Sequence, residues 1–130
     1  MRVDLLNGRV LAYIGDSVMT LKVREYLVES GLTKAKALQS ESIKYLSAKG
    51  QAAIMAYLLS KDFCNEDELK IYHLGRNYKA NSVAKNVDVL TYRIASGYEA
   101  LWGYLHISEN FERLEELWQA SLDYFKEPVC

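Results

Sequence analysis

Apolar residues recur every three or four positions along most of this chain, the spacing of a helix with one face in a core. From Gly8 to about Glu29, Leu11, Ile14, Val18 and Leu21 mark such a face. Gly31 stands where a helix C-cap is expected, and Thr33 where the next N-cap is. Residues 34–60 carry Leu38, Ile43, Leu46, Ile54 and Leu58, which predicts one long helix or one bent at Gly50. Asn65, with Glu68 three residues on, predicts a capping box opening a helix to about Lys79. Residues 80–90 lose the period and read as a loop. A further helix opens near Thr91 and runs to about Ile107. The last begins at Ser108 or Asn110 and reaches about Phe125, with Phe111, Leu114, Leu117, Trp118 and Leu122 on one side. No alternating pattern suggests a strand, and no segment repeats. The pattern predicts an all-α fold, a single domain over residues 1–130 with five to six helices.

Composition agrees with that pattern. The 130 residues suffice for one hydrophobic core, and the sole proline, Pro128, interrupts no predicted helix. Cys64 and Cys130 form no spaced framework, so a reducing compartment is expected. Apolar runs are cut by Lys, Asp or Ser too often to span a membrane, and the first ten residues lack a secretory pattern. The expected location is the cytoplasm, with no membrane partner.

The net charge of −1 does not by itself point to a polyanion. Its distribution changes the picture. Between residues 70 and 93, Lys70, Arg76, Lys79, Lys85 and Arg93 face only Asp88, whereas residues 108–127 hold six acids against Arg113 and Lys126. A local basic stretch of this kind can bind a polyanion in a molecule of near-zero net charge. Two solvated faces of opposite sign would give the same counts.

Two acids stand out. Asp16 has Ala12, Met19 and Val23 at helical spacing, and the other side of its helix is also apolar, so both helix and acid are expected to be buried. Glu99 sits in ASGYEALWGYL between Ala95, Ser96, Trp102 and Gly103. Neither acid has a Lys or Arg within one turn. A buried carboxylate without a partner costs several kcal/mol, so such groups are paired, protonated or metal-bound. Gly15 adjoins Asp16 and Gly103 follows Glu99 by a turn, and a helical glycine is tolerated where another backbone comes close. This predicts two helices crossing with both acids facing one small space. A hard cation such as Mg²⁺ suits that arrangement; half-exposed acids hydrogen-bonded to Tyr or Ser are the other reading of the same spacing. His73 and His106, the only histidines, have no nucleophile at fixed spacing and are read as packing residues, as are most of the tyrosines and both tryptophans.

LAYIGDSVMTLKVREYL, residues 11–27, resembles the signature helix of the ribonuclease III catalytic domain, and TYRIASGYEALWGYL, residues 91–105, resembles that domain's second acidic helix. GRNYKANSVAKNVDVLTYR at 75–93 and YLSAKGQA at 45–52 look like its Mini-III branch, the short ribonucleases III with no double-stranded-RNA-binding domain. The resemblance implies an all-α homodimer that uses Mg²⁺ or Mn²⁺ to hydrolyse phosphodiesters on both strands of double-stranded RNA. It further implies maturation of large-subunit (23S) ribosomal RNA precursor with a ribosomal protein as helper. Asp16 and Glu99 become the metal-holding catalytic residues, and Arg76, Asn77, Lys79, Lys85 and Arg93 the contacts to RNA. Where full-length enzymes carry further acids, this chain has Ala12 and Ser96, as the Mini-III branch does, leaving two protein carboxylates. The alternative from another class is an inactive RNA-binding or ribosome-associated module on the same fold.

Overall fold

A computed structural model describes residue 2, residues 6–78 and residues 88–127. The described residues form six α-helices: α1 (Gly8–Glu29), α2 (Ala35–Leu46), α3 (Ala48–Ser60), α4 (Glu66–Asn77), α5 (Val89–Ile107) and α6 (Phe111–Lys126). They contain no strand. None of these helices is long and apolar enough to cross a membrane.

α5 is the axis of the molecule, and α1, α3, α4 and α6 all pack on it. Its sequence explains why: Ala95, Ser96, Gly97, Ala100 and Gly103 are small enough to admit neighbouring helices, while Tyr98, Leu101, Trp102 and Leu105 fill the space between them. The main core joins those side chains to Met19 and Val23 of α1, Ile54, Met55 and Leu58 of α3, and Leu117 and Trp118 of α6. Tyr98 is wholly enclosed, and its hydroxyl is satisfied by Ser121 Oγ at 2.7 Å.

Local chemistry sets the helix ends. Asn7 caps α1 by accepting from the Val10 amide at 2.9 Å. Its chain leaves through Gly31, whose φ of +103° lies in the left-handed region that a side chain would resist. The capping box at the start of α4 is present, with Asn65 and Glu68 exchanging side-chain-to-backbone bonds of 2.9 Å. Asp88 caps α5, accepting from both the amide and the hydroxyl of Thr91, so that helix begins at Val89 rather than at Thr91. Asn110, not Ser108, caps α6.

Three expectations are corrected. The N-cap of α2 is Lys34, without a side-chain cap, and Thr33 lies outside the helix. Residues 34–60 are two helices, and the break falls at Ser47 rather than Gly50. Ser47 is extended, and its hydroxyl accepts from the Gly50 amide at 3.0 Å, a cap that ends α2 and starts α3 at one residue. α1 is not apolar all round in its packing either. Its buried line runs Leu11, Ala12, Gly15, Met19, Val23 and Leu27, while Leu21 is 60% exposed on the other side.

Candidate active site

The helix crossing predicted from Gly15 and Gly103 exists. A Cβ on Gly15 would fall on the carbonyl oxygen of Glu99, and one on Gly103 on the carbonyl oxygen of Leu11. α1 and α5 therefore meet backbone to backbone, and only glycine fits at either position. The crossing fixes the distance between Asp16 and Glu99, whose carboxyl groups lie within hydrogen-bonding reach of each other.

Burial differs from the expectation for both acids. Asp16 is exposed, in a surface groove with Ser17, Thr20 and Arg24, and Glu99 is partly buried. The reason is geometric. A short aspartate beside a crossing glycine sits at the edge of the contact, whereas the glutamate on the central helix points into it. Burial pushes the Glu99 carboxyl up to about 9, Asp16 adds to the rise through a hydrogen bond and its charge, and the Gln51 amide opposes it. Among the described residues, no cation is one of the groups acting on Glu99.

Two carboxylates meeting at a desolvated edge are a donor set for a hard divalent cation. No cluster of three or more His, Cys, Asp or Glu that could hold a metal occurs among the described residues. An ion held here would take two protein oxygens and fill its remaining positions with water and substrate oxygens, as Mg²⁺ commonly does. The chemistry of the pair fits the ion.

The raised Glu99 carboxyl has a consequence for stability. Its folded-state pKa lies above its unfolded value, so the folded chain holds the proton more tightly, and stability falls as pH rises from the ordinary carboxylate range towards about 9. In EDTA, Glu99→Gln should melt above wild type at about pH 8, with the gap closing towards about pH 4, where the wild-type acid is protonated in both states. Asp16→Asn should give a smaller gain of the same sign. Melting curves across this range decide it; a Glu99→Gln that melts below wild type at the alkaline end would mean the acid is held by favourable contacts.

Beside the pair lies a small basic pocket of about 190 Å³, between the C-terminal end of α4 and the start of α5. Arg76 and Arg93 line it together with Tyr78, Tyr92 and Ser96. The tyrosine hydroxyls are 3.3 Å apart, and that bond, followed by burial, pushes Tyr92 up from its ordinary value. Ser96 and Tyr92 precede Glu99 by one and two turns, so the pocket and the acid share a face of α5. Asn77 is exposed at the end of α4, where its Oδ1 accepts from Arg76 Nη1 at 3.2 Å. The structure thus gathers Arg76, Asn77 and Arg93 at one end of the molecule. Lys79 and Lys85 lie outside the described residues.

Sequence reasoning missed Gln51 as a neighbour of Glu99. The signal was available: in GQAAIMAYLL, Gln51 heads the line that continues through Ile54, Met55 and Leu58, so a polar side chain occupies a core position.

The profile of the Ribonuclease III domain matches residues 9–110, which contain both acids and the basic pocket. The chain is 47% identical to the Mini-ribonuclease 3 of Streptococcus pneumoniae (strain ATCC BAA-255 / R6) over 115 residues, 88% of this chain and 90% of the relative. It is 43% identical to that of Staphylococcus aureus (strain NCTC 8325 / PS 47) over 88% of this chain and 86% of the relative. In three dimensions it is similar to a crystal structure of a Fusobacterium nucleatum protein, with a TM-score of 0.81 over 93% of this chain and 95% of the other at 21% identity.

Proposed function

The chain belongs to the ribonuclease III family, in its Mini-III branch, and from that premise we propose that it cleaves double-stranded RNA with a divalent cation, Mg²⁺ or Mn²⁺, held by Asp16 and Glu99. It is an endoribonuclease of a family that generally depends on divalent metal. The observation that carries the finer reading is the meeting of two carboxylates at the Gly15–Gly103 crossing, with no cation among the described residues acting on Glu99.

In this reading the chain's residues divide the work. When bound, the ion supplies Lewis acidity towards a phosphate oxygen and makes water a stronger nucleophile. Asp16, on the open groove, faces solvent and substrate, while Glu99 is held from behind by the protein. Arg76 and Arg93 offer guanidinium groups to the backbone of the same RNA, and the hydroxyls of Tyr78, Tyr92 and Ser96 can donate to phosphate or ribose oxygens. Double-stranded RNA is recognised by shape, 2′-hydroxyls and backbone, which matches a pocket of hydroxyls and guanidiniums. Lys79 and Lys85 extend the basic stretch along the sequence.

A homodimer follows from the substrate, since cutting both strands of a duplex in one encounter takes two sites related by a two-fold axis. The exposed apolar side chains on α1, Tyr13, Leu21 and Val28, support a surface for that partner. Precursor of 23S ribosomal RNA is the proposed natural substrate, with a ribosomal protein as helper; both are what the resemblance to the Mini-III branch implies.

The test is a blunt RNA duplex labelled on each strand, incubated with protein in Mg²⁺ and in EDTA. Both strands should be cut in Mg²⁺ and neither in EDTA. Binding measured in EDTA should weaken steeply with salt, and Arg76→Ala with Arg93→Ala should flatten the slope of log K against log salt by about two units. Binding without cleavage in any divalent ion would favour the inactive module, and an unchanged slope would place both arginines away from the RNA.

A further inference from the structure

Four polar or charged residues are buried among the described residues: Gln51, Glu68, Ser96 and Ser121. Two are accounted for by architecture. Ser121 satisfies Tyr98, and Glu68 is tied to Arg113 and to the start of α4. Ser96 belongs to the basic pocket. Gln51 is left.

Its position is built by the break between α2 and α3. Ser47 turns the chain, and Gly50 lets α3 rise against the end of α2, since a Cβ there would fall on the Lys44 carbonyl oxygen. That brings the Gln51 amide, 3% exposed, back onto the Leu46 carbonyl, to which Nε2 donates at 3.1 Å. One N–H is thereby fixed, and with it the plane of the amide. α3 packs on α5, and the Gln51 amide lies close enough to the Glu99 carboxyl to act on it against burial.

We infer that Gln51 is a positioning residue for the reaction: its anchored amide donates to Glu99 and sets the direction in which that carboxylate meets Asp16 and a divalent ion. A glutamate has three rotatable bonds, and two like-charged carboxylates left alone turn apart. An amide fixed by a backbone carbonyl costs little further ordering when it holds one carboxylate oxygen, and leaves the other oxygen for the ion. Partners of this type around metal-holding groups change affinity or activity by roughly 10–100-fold when removed. The inference rests on reading Asp16 and Glu99 as the metal-holding pair.

Two experiments test it, one of which needs neither RNA nor metal. In metal-free ¹⁵N-labelled protein, the side-chain amide resonances of Gln51 should shift when Glu99 is replaced by Ala; unmoved resonances would mean that the contact does not exist, and the inference would be wrong. The second is steady-state cleavage of duplex RNA by Gln51→Leu and by Gln51→Met, an unbranched side chain of similar length, each judged per folded molecule from its melting curve. Their kcat should fall by roughly 10–100-fold, and their Mg²⁺ midpoint should rise, with KM for RNA within about twofold of wild type. A lowered melting temperature with kcat unchanged would make Gln51 only a staple between α2 and α3, and would overturn the inference. If wild type itself fails to cut duplex RNA, the functional reading falls, while the resonance shift still decides whether Gln51 holds Glu99.

Discussion

Asp16→Asn and Glu99→Gln are each expected to slow cleavage of duplex RNA by about a thousandfold or more, a loss of several kcal/mol of transition-state stabilisation. Both changes keep the shape of the side chain and remove only its charge. The helix crossing at Gly15 and Gly103 is made of backbone, so it survives either change and the fold with it. The proposed RNA contacts lie in the neighbouring pocket, so duplex affinity measured in EDTA should stay within about twofold of wild type, a smaller effect than losing even one phosphate contact. The pair of results separates a catalytic role from a binding one. Single-turnover cleavage at saturating protein, alongside binding of the same duplex, provides both numbers. If either variant cleaves within about tenfold of wild type, its carboxylate is not a metal-holding group of the reaction.

Much of the fold was legible because its helices obey local rules. Asn65 and Glu68 announce the start of α4 through bonds that span three residues, and the start of α1 and the left-handed exit at Gly31 are equally local. The break at Ser47 was harder. A serine in an amphipathic run can lie within a helix or cap one, and what decides here is the docking of α3 on α5, which no window around Ser47 contains. α1 departs from its apolar pattern for a related reason. Its composition is apolar on two sides, but only the side carrying Gly15 meets α5, so Leu21 remains at the surface.

The site divides in the same way. Glycine beside each acid was a readable sign of a close crossing, because a missing side chain has few other uses in the middle of a helix. Burial was not readable from the same letters. It depends on which side of the crossing each carboxylate occupies, and Asp16 came out exposed while Glu99 is tucked against Gln51. The meeting of Arg76 with Arg93, and of Gln51 with Glu99, joins residues from different helices and follows only from the packing of α3 and α4 on α5.

The largest expected effect on stability lies away from the site, at Arg113. Glu68 is 2% exposed, and the Arg113 guanidinium grips it with Nε and Nη2, both at 2.8 Å, from across the gap between α4 and α6. The same Nη2 donates to the Phe63 carbonyl at 2.7 Å, and the guanidinium lies 4.0 Å over the Phe63 ring. Burial pushes the Glu68 carboxyl up, but Arg113 and the Asn65 amide outweigh it and hold it below its ordinary value. Arg113→Leu leaves that carboxylate buried with only the Asn65 amide, which should cost about 3–5 kcal/mol and lower the melting temperature by about 10–20 °C. The sign with pH is distinctive. In wild type the depressed Glu68 carboxyl contributes stability above its unfolded pKa and loses it as pH falls through its folded one. In Arg113→Leu the buried carboxylate binds a proton readily, so the deficit against wild type should be greatest near neutrality and shrink with acid. Adding Glu68→Gln to Arg113→Leu removes the stranded charge while keeping an oxygen for the Asn65 amide, and should restore more than half of the loss. A deficit that does not change with pH, or that the second substitution deepens, would mean that Arg113 stabilises the fold by packing on Phe63 rather than by neutralising Glu68.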